Sequence, residues 1–510
     1  MDPNDALAFL NQFWLTLLVL VPVVLVARAV VAGSRYSPIL IIVVFGLSLG
    51  ALLVATRAGA PGLPDFYLLG MLGRATVIAL TASFFVGGQE LRRLFGGVQV
   101  AADTSVVLNK SEVILGTGRT QLFFIVRAFF VLLGVDATVR VLLGTGGEKA
   151  AILPLLAYLG LVFAAIVIDP GAQVDNKRRY LGKGAVELLL LILALAGATL
   201  IATHVRETAA FPPIFFAMLM AVLLGWFCPR WRHGPALRAL LFGGIPVVLA
   251  ANFLVGGSLL VQSLALDGMT PVLLYGFSGQ LLWMFGGISL LMWLGGTAAV
   301  RNLAPGMAGA LSHAGLTGAC TAGDMGEVAQ HRAPIMIAVP FLGHVFLFTI
   351  LALSLDAGRL LLWPTVLVAL AGVVLSGFAF RQLRRSAGED RAEVRALMLF
   401  SFGWQLTALF GGLLLLSNLP LAHAAMAASA ALSHFGLFAA LQGGLFGAQA
   451  ATLIAFVFAM PFLIHPFVFF MFGRGMAQGG EMPRLPAYLL AVAGAAGVLV
   501  ALFGRGWGGA

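Results

Sequence analysis

The chain has 510 residues, of which 61% are hydrophobic and only 10% are charged, and its mean hydropathy is +1.03. Globular domains carry about 25% charged residues, so this chain has too few to cover a surface that faces water. Its two cysteines exclude a disulfide framework. The basic residues behind the net charge of +10 lie mainly between apolar segments. This distribution is typical of loops that set the orientation of a membrane protein, and it argues against a nucleic-acid partner.

Apolar segments long enough to span a bilayer recur along the chain. The predicted spans, in chain order, are 11–32, 37–56, 65–86, 120–143, 150–168, 185–205, 209–227, 237–264, 270–298, 334–356, 361–380, 396–417, 445–472 and 486–504. Two further segments, 304–330 and 420–442, are apolar but rich in glycine and polar residues, so we expect them to be spans, broken helices or re-entrant segments. The sequence thus predicts an all-α polytopic membrane protein with about 14 spans, two interrupted segments and no soluble domain.

Basic clusters follow alternate spans, and the positive-inside rule places these clusters in the cytoplasm and the N-terminus outside. The clusters lie at 28–35, 92–110, 177–183, 230–238 and 381–395. The acidic first five residues favour a retained first span over a cleaved signal peptide. We expect an integral protein of a bacterial inner membrane, with the lipid bilayer and a small ion or small molecule as its partners. The sequence leaves open whether the protein forms a homodimer.

The second half of the chain repeats itself. Residues 310–350 align without a gap on 431–471, and 17 of the 41 aligned pairs are identical. The preceding spans also match, which pairs Gln280 with Gln405 and makes both candidates for transport. Internal repeats build many transporters, with the substrate path at the repeat interface. The basic cluster at 381–395 stays cytoplasmic only if the copies are inverted, so we predict inverted repeats.

The predicted organisation therefore has three parts, all within the membrane. They are an N-terminal half over 1–235, repeat A over 236–380 and repeat B over 381–510. The longest polar stretch, about 87–119, is too short to form a core of its own.

Charged residues inside the spans are candidates for function, because a charge in hydrocarbon costs about 2.5–3.5 kcal/mol on insertion scales. Arg127 and Asp136 share the fourth span, and Arg127 is a candidate fixed counter-charge. Asp136 lies four residues before Arg140 on one helix face, so an ion pair that orients the helix is the alternative. Asp169 precedes Pro170, where the helical backbone can break. Such a carboxylate suits a cation or proton site; the alternative is the end of the span.

The interrupted segment 304–330 carries His313, Asp324 and Glu327 at nearly helical spacing among several glycines. We interpret these three residues as candidates for ion binding, and their alternative is a position at the water interface. The second copy keeps the histidine, as His434, but replaces both acids with apolar residues. That difference favours an asymmetric site.

Four histidines recur as two pairs, one pair in each copy. The pairs are His313 with His344 and His434 with His465. Histidines in a membrane can relay protons, bind haem or a metal, or hydrogen-bond between helices. Their spacing matches no metal motif, so we assign no metal and no cofactor.

The second span begins with Tyr-Ser-Pro at 36–38, a Gly-Leu-Pro-Asp string follows at 62–65, and residues 84–94 read FFVGGQELRRL. This opening, residues 1–97, resembles the start of the monovalent cation:proton antiporters, and Asp169-Pro170 is similar to the Asp-Pro in the core of some of them. The glycine-rich stretch 306–326 with 338–343 resembles the second re-entrant region of the related sodium/glutamate symporters. The resemblance implies Asp169 as an ion-binding carboxylate.

We therefore predict an ion-coupled secondary active transporter, not an enzyme, with monovalent cation/proton antiport as the first choice and sodium or the proton as the coupling ion. A sodium-coupled symporter of an organic anion such as glutamate is the first alternative. A membrane-embedded haem or metal protein that uses the histidine pairs is the second. A channel is the weakest reading, because selectivity strings are absent.

Overall fold

The computed structural model of the protein describes residues 20–30, 38–56, 66–96, 118–144, 152–168, 174–205, 213–229, 231, 233–263, 270–311, 342–385, 390–432, 464, 466–468, 470 and 483–504. Over these ranges the backbone is helical apart from short turns, and it forms no strand. The predicted all-α class is confirmed.

Fifteen α-helices are numbered here in chain order over these described ranges. They are α1 (Leu20–Val30), α2 (Pro38–Thr56), α3 (Phe66–Gly96), α4 (Gly118–Leu142), α5 (Ile152–Ile168), α6 (Val174–Val205), α7 (Pro213–Phe227), α8 (Pro235–Ala239), α9 (Ile245–Ser263), α10 (Thr270–Leu311), α11 (Gly343–Asp356), α12 (Leu362–Arg385), α13 (Asp390–Leu415), α14 (Leu421–Leu432) and α15 (Arg484–Phe503). A π-helical turn, Leu240–Gly244, joins α8 to α9 without a break.

The helices form two compact units that alternate along the chain. The first unit contains α1, α3 to α8, the π-helical turn and α9 as far as Phe253. The second unit contains α2, the remainder of α9 and α10 to α15. The boundaries predicted for the three membrane parts stay predictions.

Seven of the described helices contain a segment long and apolar enough to cross a membrane. These segments are Leu122–Leu142, Tyr180–Val205, Pro235–Leu254, Pro271–Trp293, Leu362–Leu383, Ala392–Leu415 and Arg484–Phe503. Large apolar side chains lie exposed on them, such as Val374 (69%) and Val492 (66%), where lipid rather than water can cover them. The chain is therefore a membrane-embedded protein. The number of spans and the repeats remain predictions.

Helix ends differ from the predicted span ends where hydropathy and backbone geometry differ. The sequence separates a span at 270–298 from the segment at 304–330, whereas α10 runs unbroken from Thr270 to Leu311. Arg301 and Asn302 interrupt the apolar run, but neither stops a helix. Hydropathy marks where a helix leaves the lipid, and not where the helix ends. In the other interrupted segment, α14 covers the described part, Leu421–Leu432.

Burial separates central helices from peripheral helices. In the first unit, 89% of an 18-residue apolar stretch within Pro235–Leu254 is buried. The π-helical turn in this segment contacts α4 and α3. In the second unit, the apolar stretches of α10 and α13 are mostly buried, whereas only 28% of the corresponding stretch of α12 and 22% of that of α15 are buried. We conclude that α10 and α13 form the core of the second unit and that α12 and α15 face lipid.

Glycine allows two helix pairs to approach closely. A Cβ at Gly88 of α3 would overlap the carbonyl of Val222, and one at Gly225 of α7 would overlap the carbonyl of Phe85. In the second unit, a Cβ at Gly372 of α12 would lie 2.6 Å from the carbonyl oxygen of Gly403 in α13. Small residues at such contacts are typical of helix packing in membranes, where backbones approach without a hydrophobic driving force.

Candidate functional site

The second unit buries polar side chains on α10 and α13, two helices that contact each other; one of these side chains, Ser278, lies against Gly497 of α15. The buried polar residues are Tyr275, Ser278 and Gln280 on α10, and Ser401 and Gln405 on α13, each no more than 3% exposed. An aromatic contact joins the helices, with the Trp283 and Trp404 rings 6.0 Å apart at 74°. Polar groups in a helix core need hydrogen-bond partners or a ligand. This crossing is therefore the candidate substrate site of the unit.

Two contacts fix the direction of the helices at this crossing. The indole N–H of Trp404 donates to the carbonyl oxygen of Trp283 at 3.1 Å. A Cβ at Gly412 would lie 2.9 Å from the hydroxyl oxygen of Tyr275. Later residues of α13 thus meet earlier residues of α10, so these two helices run antiparallel. At this register Leu281 and Leu406 stand at about the same level.

The segments that the sequence aligns also have the same burial. Gln280 and Gln405 are both fully buried, and so are Phe285 and Phe410. The next residues, Leu281 and Leu406, are 4% and 2% exposed. Further along, Leu290 and Leu415 both face outward, at 40% and 47% exposed. These equivalent positions of α10 and α13 are therefore buried or exposed to the same degree.

The crossing also adjoins the start of α11, a helix of 14 residues. A Cβ at Gly343 would lie 2.8 Å from the amide oxygen Oε1 of Gln405. The next residue, His344, is fully buried, and its ring packs against Phe348 at 6.0 Å. Three residues that the sequence analysis singles out, Gln280, Gln405 and His344, thus lie in the core of one unit, two of them around one helix start.

The other candidates from the second half cannot be placed at this crossing. His313, Asp324, Glu327, His434 and His465 lie outside the described residues, as does Asp169 of the N-terminal half. Their roles stay predictions.

In the first unit, Arg127 of α4 is only 4% exposed. Its Nη2 donates to the carbonyl oxygen of Ala164 in α5 at 3.0 Å, and its Nε has no acceptor in the part of the chain that the structure describes. The last turn of α5 carries the negative end of the helix dipole, which favours a nearby cation. Its predicted role as a counter-charge stays a prediction.

Asp136 of α4 is part of an ion pair between two helices. Its Oδ1 accepts from Nε of Arg74 in α3 at 2.7 Å, with the two side chains 18% and 40% exposed. The predicted pair of Asp136 with Arg140 stays a prediction; spacing within one helix could not indicate the partner from α3. The pair holds α3 against α4, which favours the structural interpretation of Asp136.

A further polar cluster, which the sequence analysis missed, surrounds the segment that leads into α8. Glu187 of α6 is 1% exposed and accepts hydrogen bonds from the Trp231 indole and from the backbone N–H groups of Gly234, Ala236 and Leu237. The only signal for it was a lone glutamate in an apolar run. The carboxylate satisfies N–H groups at the helix start that have no partner within the helix.

On the other side of this segment, Gln89 of α3 fixes His233. Nε2 of Gln89 donates to the carbonyl oxygens of Cys228 at 2.9 Å and Trp231 at 3.0 Å, so its Oε1 is the acceptor that lies 3.0 Å from Nε2 of His233. His233 must therefore carry its proton on Nε2. Burial, with the charge of Arg238, lowers the pKa of His233 to about 4, so the ring is neutral near pH 7.

Neither cluster supplies a metal centre. Among the residues with described side chains, no group of three or more His, Cys, Asp or Glu could hold a metal ion. Amides, hydroxyls, indoles and one imidazole make up the crossing of α10 and α13, and such groups bind a ligand through hydrogen bonds. No protein-family model, curated protein or solved structure matches the chain.

Proposed function

We propose that this protein is an ion-coupled secondary active transporter, with monovalent cation/proton antiport as the first choice. The observation that carries the proposal is the crossing of α10 and α13. These helices hold sequence-equivalent buried glutamines and run antiparallel. Corresponding helices of an inverted repeat have opposite directions across the membrane, and substrate binds between them.

The position of the crossing supports this proposal further. In an inverted repeat, the pseudo-two-fold axis passes where equivalent residues stand level with each other. Leu281 and Leu406 are equivalent in the sequence alignment and stand at about the same level. Gln280 and Gln405 are their immediate neighbours in the chain. The axis would therefore pass beside the two buried amides, as a site at the repeat interface requires.

Asp169 is the residue that we propose for coupling. The resemblance of residues 1–97 to cation:proton antiporters, and the Asp169-Pro170 string, support this role. In antiport a proton and a cation compete for one carboxylate, and the neutral amide of asparagine cannot take up and release that proton. Asp169→Asn should therefore abolish cation-driven proton flux in proteoliposomes while leaving yield and thermal stability unchanged. Full activity of the asparagine variant would contradict the role of Asp169.

A sodium-coupled symporter of an organic anion is the second candidate. Arg127 favours it, since a buried cation without a carboxylate within ion-pair distance, over the described residues, suits an anionic substrate. Uptake of labelled glutamate and other small carboxylates, with and without a sodium gradient, separates the two candidates. Sodium-dependent uptake without cation-driven proton flux would favour the symporter. The haem or metal alternative predicts an absorption band or a bound metal in the purified protein.

A further inference from the structure

The adjoining ends of α3 and α7 in the first unit carry arginine and exposed aromatic side chains together. The glycine contacts between Gly88 and Val222 and between Gly225 and Phe85 hold the two helices side by side. One turn after Gly88, the guanidinium of Arg92 lies 5.2 Å from the ring centre of Trp226. This cation–π contact fixes where the arginine points.

The two arginines at this place retain hydrogen-bonding capacity. Arg92 makes no ion pair with any described residue, and its neighbour Arg93 reaches Glu90 only at 3.4 Å with its side chain 49% exposed. Each guanidinium has a planar fork of N–H donors that matches two oxygens of a phosphate. Each guanidinium is therefore suited to a phosphate monoanion or diester.

The same two helices carry exposed apolar side chains near these ends. Leu223 and Phe227, four residues apart on one helix face, are 45% and 75% exposed. Phe95, at the end of α3, is 48% exposed. An acyl chain can lie along such side chains, and a tryptophan at a span end, here Trp226, is typical of the level of lipid headgroups.

We propose that the ends of α3 and α7 bind an anionic phospholipid. Its phosphate is held by Arg92 and Arg93, and its acyl chain lies along Leu223 and Phe227. The charge of the arginines selects an anionic headgroup, and the exposed apolar side chains on the same helices select a lipid over free phosphate. This binding does not depend on the transport proposal, because it requires no movement of an ion across the membrane.

The test is lipid binding by the detergent-solubilised full chain. Phosphatidylglycerol, phosphatidylcholine and inorganic phosphate are each titrated, and thermal stabilisation and bound lipid in native mass spectra are measured. We expect phosphatidylglycerol to stabilise the protein more than the other two. The double variant Arg92→Gln/Arg93→Gln should bind it at least about tenfold more weakly, since charge-assisted hydrogen bonds are lost.

The matched control is Arg381→Gln/Arg385→Gln, which removes two exposed positive charges at the end of α12. This control should bind phosphatidylglycerol like the wild type. Equal losses in both double variants would overturn the proposal in favour of diffuse charge attraction, and full stabilisation by phosphate alone would overturn the assignment to lipid. If the double glutamine variant does not fold, Arg92→Lys keeps the charge but loses the fork, and unchanged binding by it would also overturn the site.

Discussion

At the residue scale, Glu187 and Gln89 show how buried polar groups organise the first unit. Each of these side chains makes its hydrogen bonds to one short segment, residues 228–237. From the sequence one can predict that a charged residue inside a span has a polar partner or a function. The sequence could not name the partners, because they are mostly backbone groups more than 40 positions later, and a backbone N–H has no sequence signature.

Glu187→Gln should destabilise the protein by about 1–3 kcal/mol, because the amide turns one acceptor oxygen into a donor and leaves buried N–H groups unsatisfied. The measurement is the thermal unfolding midpoint in detergent, with Glu90→Gln as the matched control. The ion pair of Glu90 with Arg93 is long, at 3.4 Å, and the Arg93 side chain is 49% exposed, so the loss of this pair should change stability by less than about 0.5 kcal/mol. Equal midpoints for the two variants would refute the anchoring role of Glu187.

The lowered pKa of His233 predicts acid sensitivity. Its pKa falls from 6.5 to about 4 in the fold, because burial and Arg238 disfavour the charged ring. The unfolded chain therefore binds the proton first, and stability that is complete above pH 6.5 is lost as the pH falls toward 4. The loss at this site is about 3 kcal/mol. His233→Gln should flatten the pH dependence of the unfolding midpoint over that range.

The control for this titration is His204→Gln, which replaces an exposed histidine of α6. It should leave the pH dependence like that of the wild type. If His233→Gln also leaves it unchanged, the acid sensitivity arises elsewhere.

At the element scale, apolar runs predict where helices lie because lipid forces each backbone segment to satisfy its own hydrogen bonds. They do not predict how far a helix extends beyond the lipid. Thus α3 continues to Gly96, ten residues past its predicted span (65–86), and α10 passes through the predicted gap after residue 298. Both extensions contain residues that commonly end a helix, Gly87 and Gly88 in α3 and Pro305 with Gly306 in α10, so the local sequence does not predict that either helix continues.

Packing between α12 and α13 depends on glycine at one face of α12. Gly372→Ala places a Cβ 2.6 Å from the carbonyl oxygen of Gly403, so the helices must separate, which should cost about 1–3 kcal/mol. Gly377 lies on the same helix, and a Cβ there would meet no atom within 4 Å, so Gly377→Ala should be neutral or slightly stabilising. Thermal unfolding of both variants measures the difference. A smaller effect at Gly372 than at Gly377 would contradict this contact.

At the scale of the whole molecule, the candidate site arises from positions far apart in the chain. Self-comparison of the sequence pairs Gln280 with Gln405, and the structure gives both full burial on antiparallel helices. The sequence could not show that Gly343 approaches Gln405 or that α2 belongs to the same unit as α10 to α15. Such contacts depend on tertiary packing. The hydrophobic periodicity of one helix indicates which face is buried, but it does not indicate which other helix packs against that face.

The most direct test of the proposed transport site is coupled flux through glutamine variants. Gln280→Ala and Gln405→Ala are each reconstituted in proteoliposomes, and cation-driven proton flux and sodium-driven anion uptake are measured beside Thr349→Ala, an exposed position of α11. We predict that both glutamine variants fold but lose most of whichever flux the wild type shows, whereas Thr349→Ala retains it. Wild-type flux in both glutamine variants would contradict a transport site at the crossing of α10 and α13.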